Sequence, residues 1–440
     1  LRRARKYATI ASAPRTLVHR TTTASKGGGV PRVFTHTYPN GLVLVAEERP
    51  DVRAAAFHLS VLAGTITEPA DKEGLSKVLA EMCYRGAGER DSRALSDALD
   101  ALGLQRGGGA GTESATFGGA LLADNLGDAL KLHADIALRP RLPEKELEPV
   151  VALAIQELQS LEDNPAQKMF VHLRREYFLN DYGRSTLGTV PTLEGLTVDD
   201  LRADHRNRYR PKDAILSVAG RFDWNWLRDT VGALFGDWNG DPPPLPKPDA
   251  RATTHYRHIE QDSAQEHIGI AYASVPLGDP DFYVSRMAVN VLSGGMGARL
   301  FTEVREKRGL VYAVSASASS ARGLGFVFGY AGTTPERAQE TLDVYIGELN
   351  RLVEGVTKDE LDRARVGLLS SLVMQGESTT ARASAIGTDM VLLGRVRSLE
   401  EIREGIENVT QESIIAHLRR CPPANFTVTT LGPRPLTMPD

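Results

Sequence analysis

The segment Gly74-Leu-Ser-Lys-Val-Leu-Ala-Glu-Met-Cys-Tyr-Arg-Gly86 has the spacing of an amphipathic helix, and its polar residues limit what it can do. Lys77 and Glu81 stand at i and i+4 on one helix face. As a solvated pair they attract each other by about 0.3–0.5 kcal/mol. A protonated lysine has no lone pair for a metal, and Ala80 is a methyl group that takes no proton. The histidines offer no substitute. Their one close pair, His255 and His258, falls in a strand-like stretch, where residues three apart point to opposite faces. No His-Glu-x-x-His occurs. The two cysteines, Cys83 and Cys421, are far apart, which excludes a cysteine-rich metal site and suggests a reducing compartment.

Two further segments carry polar groups in suggestive places. In Arg299-Leu-Phe-Thr-Glu-Val-Arg-Glu-Lys-Arg-Gly-Leu-Val-Tyr312, the cations Arg305, Lys307 and Arg308 close a helix before Gly309. Cations there suit the helix dipole and glycine suits the cap. Tyr312 then starts a strand. The run Arg106-Gly-Gly-Gly-Ala-Gly-Thr-Glu113 precedes another strand. It reads either as a mobile turn or as backbone left bare for close approach by another chain.

These residues are positioned by a duplicated chain. Leu142–Glu148 and Val356–Asp362 each open a helix with an acidic first turn, at an offset of 214 residues. Thr197 and Thr410, each a candidate N-cap, are 213 apart. Each is followed by a helix, a proline and an apolar strand ending in Gly220 or Gly432. A constant offset is the mark of internal duplication. The proline-rich run 238–248 joins the halves as a stiff linker. The domains are therefore 1–32, a basic leader; 33–240, the first fold; 241–254, the linker; and 255–435, the second fold.

Within the first domain, a hairpin turns at Asn40-Gly41, strands cover about 54–63 and 114–122, and helices cover about 72–85, 92–102, 126–138, 143–162 and 166–178. The second repeats this with strands near 266–275, 311–320 and 324–332 and helices near 281–293, 298–308, 335–353 and 357–373. Segregated strands and helices give an α+β class with two homologous domains, each a largely antiparallel sheet packed with helices.

Composition bounds the rest. A chain of 440 residues suits two to four domains of roughly 100–200 residues. A net charge of -4 gives no reason to expect nucleic acid or an anionic membrane. No apolar run is long enough for a transmembrane helix. Up to Ala46 there is no acidic residue, while Arg2, Arg3, Arg5, Lys6, Arg15, Arg20, Lys26 and Arg32 are basic. This leader reads as a mitochondrial-type transit segment or as a disordered basic extension.

The Gly74–Gly86 segment, the helix through Gln156-Glu157 to Pro165 and the Arg299–Tyr312 string together resemble the pitrilysin (insulinase) family of zinc metallopeptidases, in its processing-peptidase-like branch. The resemblance covers about 35–435 and implies a clam-shell of two domains. Active members carry His-x-x-Glu-His on the first long helix and a third ligand, a Glu, about 76 residues later. Lys77, Ala80 and Glu81 occupy the positions of the first His, the base and the second His, so ligands and base are absent. Glu157, 76 residues after Glu81, matches the third ligand. Lys77 either bridges Glu81 and Glu157 in place of the metal or is one half of a solvated pair.

By the same resemblance, Arg305 and Tyr312 contact the substrate backbone near the scissile carbonyl. The edge strand near Arg106–Glu113 takes an extended peptide. The expected function is a non-catalytic subunit that binds unstructured peptides and holds no zinc itself. Its partner would be a family member that keeps the zinc motif. A structural core protein of a respiratory cytochrome complex is the alternative, and an active peptidase with an unrecognised metal site a third. The chain lacks the long glycine-rich loop of the mitochondrial non-catalytic subunit; Leu292-Ser-Gly-Gly-Met-Gly297 is short. A bacterial, cytoplasmic setting is therefore expected, with a mitochondrial one as the alternative.

Overall fold

The computed structural model describes residues 31–439. The basic leader, apart from residues 31 and 32, lies outside them. The first half contains β1 (Arg32–Thr37), β2 (Val43–Glu48), β3 (Ala54–Val61), α1 (Leu75–Cys83), a short ribbon of β4 (Gly86–Ala87) and β5 (Arg90–Asp91), and α2 (Ser92–Ala101). It continues with β6 (Gln105–Ala110), β7 (Ala115–Leu122), α3 (Leu126–Leu138), α4 (Leu147–Gln159), α5 (Pro165–Tyr177), α6 (Val190–Glu194), α7 (Val198–Arg208), β8 (Ile215–Gly220) and α8 (Trp224–Phe235). The second half contains β9 (His255–Glu260), β10 (Glu266–Ser274), α9 (Phe282–Ser293), a π-helical turn (Phe301–Glu306), β11 (Val311–Ala321) and β12 (Leu324–Thr333). Then follow α10 (Ala338–Arg351), α11 (Lys358–Glu377), α12 (Thr379–Leu393), α13 (Leu399–Glu407), α14 (Gln411–Arg420) and β13 (Thr427–Gly432).

The duplication is visible in the sheets. Strand order is β1-β2-β8-β3-β7-β6 in the first and β9-β13-β10-β12-β11 in the second. The one parallel pair of each, β2 with β8 and β9 with β13, falls at the same place; all other pairs are antiparallel. Local chemistry follows the sequence at the repeated caps. Thr197 accepts from the Asp200 N–H at 3.2 Å and Thr410 from the Ser413 N–H at 3.1 Å, each within a reciprocal capping box. The first hairpin turns at Gly41, which takes φ +90.

Each half has its own apolar core on one face of its sheet. Phe57, Leu59, Leu79, Phe117 and Leu130 belong to the first, and Ile268, Ile270, Leu292, Val327 and Leu349 to the second. The other face of each sheet is covered by a helix from the opposite half. Met169, Leu173 and Tyr177 of α5 pack with Ala271, Phe326 and Leu431 of the second sheet. Ile386 of α12 packs on Val45 and Ile215 of the first, and Ala383 on Ala56 and Ala219. Gly269 leaves room for this crossing: a Cβ there would lie 1.9 Å from Met169 Sδ.

The exchange is fastened by charge. Arg382 on α12 donates through Nε to both carboxylate oxygens of Glu47 on β2, at 3.1 and 3.0 Å, with both side chains buried. At the tips of two homologous hairpins, Arg322 Nε donates to Glu113 at 2.9 Å. Tyr182 donates to the other Glu113 oxygen at 2.9 Å. Over 241–249 the linker forms no helix or strand, and its end is strapped to the turn after α5. The Leu179 N–H donates to the Asp249 carbonyl and the Arg251 N–H to the Tyr177 carbonyl, both at 2.8 Å.

Two local expectations are corrected and one open choice is decided. The helix expected at 298–308 is wound as a π turn over Phe301–Glu306. Of the two readings of Arg106–Glu113, the structure has strand β6 as far as Ala110, with only a bend at 112–113 beyond it. Two helices, α12 and α13, occupy the stretch after α11 where none was read.

Candidate functional site

The start of α1 is held by buried polar groups. Glu68 accepts from the Gly74 N–H at 3.1 Å and the Ser76 N–H at 2.5 Å, which satisfies two free donors of the helix start. Ser76 also receives Arg208 Nη2 at 2.9 Å, and Arg208 is paired with Asp204 at 2.5 Å in the interior. This anchor fixes the rotation of α1. Leu75, Val78, Leu79, Met82 and Cys83 face the core. Lys77, Glu81 and Arg85, at successive steps of four, line the open edge.

Beside that edge lies a cleft of about 710 Å³, walled by α1, α4 and β6. Lys77, Ala80, Glu81 and Glu157 all line it, as do Tyr84, Arg106 and Leu153. Lys77 Nζ reaches Glu157 Oε2 at 2.7 Å, bridging α1 to α4. Glu81 turns the other way, to Arg85 Nη2 at 2.8 Å. The ammonium therefore joins one carboxylate, not two, and Glu157 remains half exposed. A pair of this kind is worth about 0–1 kcal/mol. The guanidinium of Arg106 on β6 lies over the Tyr84 ring, 5.9 Å from its centroid.

These residues do not suit a zinc ion. Zinc takes imidazole, thiolate or carboxylate ligands in a tetrahedron. Here one required position holds an ammonium and another a methyl group, and both carboxylates are committed to cations. Among the described residues, no group of three or more His, Cys, Asp and Glu is arranged to hold a metal ion. His255 is held by Glu176 at 2.8 Å and His258 by Thr430 at 2.8 Å, so neither serves the cleft.

Arg305 and Tyr312 belong to the second half and are not among the residues that line that cleft. Arg305 projects from the π turn with its guanidinium 4.9 Å from the Phe301 ring centroid. Lys307 and Arg308 are spent on Glu303, at 2.7 and 3.0 Å. Tyr312 occupies the irregularity where the β11–β12 register shifts between Val311 and Ala313, and it is 61% exposed. A bulge re-aims a side chain, and here it throws the ring outward. The strand reading of Tyr312 holds, without the half-burial that a regular strand would bring.

β6 is the edge strand of its sheet, with five of its six residues exposed. Its outer N–H and C=O groups form a row open to pairing. The sequence reading overlooked Leu153 and Arg85. Both signals were available: Leu153 lies four before Glu157, and Arg85 four after Glu81, each on the same helix face as its neighbour.

Residues 43–190 match the model of the insulinase family, peptidase family M16, and residues 195–368 match the peptidase M16 inactive domain. The chain is 29% identical to an uncharacterized zinc protease of Streptomyces coelicolor, over 94% of this chain and 93% of that one. It is 27% identical to the uncharacterized zinc protease YmxG of Bacillus subtilis, over 90% and 98%. In fold it is similar to a peptidase M16 inactive domain from Pseudomonas fluorescens, with a TM-score of 0.84 at 21% identity, covering 93% of this chain and 99% of that one. It is also similar to a chain of complex III from Candida albicans, with a TM-score of 0.77 at 18% identity, covering 90% and 95%.

Proposed function

The chain belongs to the insulinase family of peptidases, M16, and from that premise we propose that it is a non-catalytic subunit of a two-chain zinc peptidase. It holds extended, unstructured peptide along β6 and offers Arg305 and Tyr312 to the zinc site of a partner. The partner is a family member that keeps His-x-x-Glu-His. The observation that carries this reading is the content of the α1 cleft. Lys77 fills a ligand position and is tied to Glu157, while Ala80 leaves no group to activate a water.

The second half supports a role in substrate handling. A guanidinium can fork onto peptide carbonyls, and a phenol can donate to a developing oxyanion. Arg305 projects from the π turn and Tyr312 from the bulge at the start of β11, and the Tyr312 ring is open to an approaching chain. No zinc is assigned to this chain. The relatives named above as zinc proteases are bacterial, which supports a bacterial setting. No helix among the described residues is long and apolar enough to cross a membrane.

Co-expression with a family member carrying the zinc motif tests the proposal. Zinc content and cleavage of unstructured peptides are measured for each chain and for the pair. The pair is expected to cleave, this chain alone to bind no stoichiometric zinc, Tyr312→Phe to lower kcat/KM of the pair by about 10²-fold, the scale of a lost oxyanion donor, and Arg305→Ala to lower it as well. Full activity of the partner alone, unaffected by this chain, would defeat the proposal. Stoichiometric zinc on this chain alone would turn it into a peptidase with an unrecognised site.

A further inference from the structure

A polar cluster sits at one end of the second core. Glu266 opens β10 on the face that carries Ile268 and Ile270 into that core. It is 0% exposed, and neither carboxyl oxygen is in a hydrogen bond. Its cross-strand neighbour on β12 is Thr333, whose hydroxyl donates to the Leu310 carbonyl. From β9, His258 brings Nδ1 to 3.9 Å from Glu266 Oε1, beyond hydrogen-bond reach. That nitrogen instead meets the Thr430 hydroxyl of β13 at 2.8 Å, and His258 Nε2 has no partner.

The segment after β13 closes over this cluster. A Cβ at Gly432 would lie 2.1 Å from Glu266 Oε2, so glycine leaves the carboxyl its space. Two residues on, the Arg434 N–H comes close enough to favour the ionised form, but burial outweighs it and raises Glu266 to about 7. The segment itself is lightly held. The Leu436 N–H donates to Tyr256 Oη at 2.6 Å. The Thr437 N–H donates to Gln339 Oε1, and Gln339 Nε2 donates to the Thr437 carbonyl, both at 2.8 Å. Leu436 and Met438 are only partly buried against the second core.

The surrounding charges give Glu266 no counter-ion. Among the described residues, His258 is the one side chain within 4.0 Å of its carboxyl that can become a cation. Burial holds His258 below its ordinary 6.5, against an upward pull from Glu260. Arg434 and Arg337 act on the exposed Glu336. His267, next along β10, points to the other face and meets Tyr330. α10 presents the neutral hydroxyl of Thr341, 3.3 Å from that of Thr333.

An unpaired carboxylate in such surroundings is strongly unfavourable, and the least disruptive relief is to lift the lightly held segment and admit water. We infer that residues 433–439 form a strap that a proton on Glu266 holds shut and that loosens when this carboxyl ionises. The direction follows from the two states. With the strap shut the group titrates near 7, and with the strap lifted it returns to its ordinary 4.5. The shut state is therefore fully favoured below 4.5, gives way about tenfold per pH unit up to about 7, and changes no further above that.

Hydrogen exchange of the full chain tests the strap, read on peptides spanning Leu436 and Thr437 and corrected for the intrinsic rise of exchange with pH. Protection there is expected to fall about 10²-fold between pH 5 and pH 7 and to level off by about pH 8. Peptides from Ile268–Tyr272 of β10 are expected to keep theirs, which also reports that each variant is folded. Glu266→Gln, or Glu266→Met should the amide fail to fold, is expected to give the strap the same protection at every pH. His258→Gln is expected to leave the fall in place. Protection that is flat with pH in the parent overturns the inference, as does a fall that survives in the Glu266 variant. A fall that vanishes in His258→Gln assigns the switch to the imidazole, and one shared by β10 assigns it to global opening; either also overturns it.

Discussion

Two cation–carboxylate pairs in this molecule have similar lengths and opposite surroundings. Arg382 and Glu47 meet at 2.5 Å between α12 and β2, with both side chains under 5% exposed. Lys77 and Glu157 meet at 2.7 Å on the lip of the α1 cleft, with the carboxylate half exposed. In the first pair neither charge can turn to water when the other is removed. In the second, water replaces the lost partner at little cost. Losing one partner therefore costs far more at the seam between the halves than at the cleft. This is a physical reason why ligand positions in the cleft can change without loss of the fold.

The comparison is broken most directly at the seam. Arg382→Ala is expected to cost about 3–5 kcal/mol in chemical denaturation, because it strands a buried carboxylate. Replacing both partners, with Arg382→Met and Glu47→Leu, is expected to recover most of that loss. A single-variant cost below about 1 kcal/mol would place the seam in the same class as the cleft. Gly269→Ala is next. Crowding Met169 where α5 crosses the second sheet is expected to cost about 1–3 kcal/mol, and adding Met169→Ala should relieve the clash while opening a void. If Gly269→Ala melts with the parent, the helix exchange is looser than its geometry suggests.

A third test uses acid. Burial alone would raise the Glu360 carboxyl, but hydrogen bonds from Arg299 and Thr357 outweigh it and hold the group at about 2. A carboxyl lowered on folding stabilises above its ordinary value of 4.5 and loses that contribution as pH falls toward 2. Glu360→Gln should therefore lower the melting temperature at neutral pH, with the gap to the parent closing between about pH 4.5 and 2. A gap that stays constant across this range would separate the effect from ionisation. The smallest effect belongs to the cleft. Lys77→Met is expected to change stability by less than about 1 kcal/mol, measured in the same denaturation series as Arg382→Ala.

Much of this architecture was legible in the sequence, and the missing part has a common cause. Helix α3 stands at 126–138, where its apolar spacing puts it, because its buried residues recur at helical intervals against one core. α5 was equally legible as a helix. Its apolar face, Met169, Leu173 and Tyr177, shows that it packs on something but not that the partner is the opposite sheet. α12 buries small residues such as Ala383 and has Gly387 close against Ser217, so its pattern lacks the bulky apolar stripe that marks a helix. β6 was obscured because glycine lowers strand propensity, and only its cross-strand partners reveal its register.

At the site, the helical spacing of Lys77 and Glu81 was visible at once, while the choice of partners was not. Glu81 could reach Lys77 or Arg85 by the same four-residue step, and only the approach of Glu157 from α4 separates them. Tyr312 was readable as a strand residue. The bulge that turns its ring outward depends on the pairing with β12 and leaves no mark in the local sequence.

The exchange of α5 and α12 also sets an order of events during synthesis. The first sheet has all its strands once β8 has been made, yet α12 ends about 170 residues later. At about 5–20 residues per second, that sheet waits roughly 9–35 s with one face uncovered. The nascent first half is thus a sticky object for much of its life on the ribosome, and a holdase at the exit tunnel would find its target in the bare face of Val45, Ala56, Ile215 and Ala219.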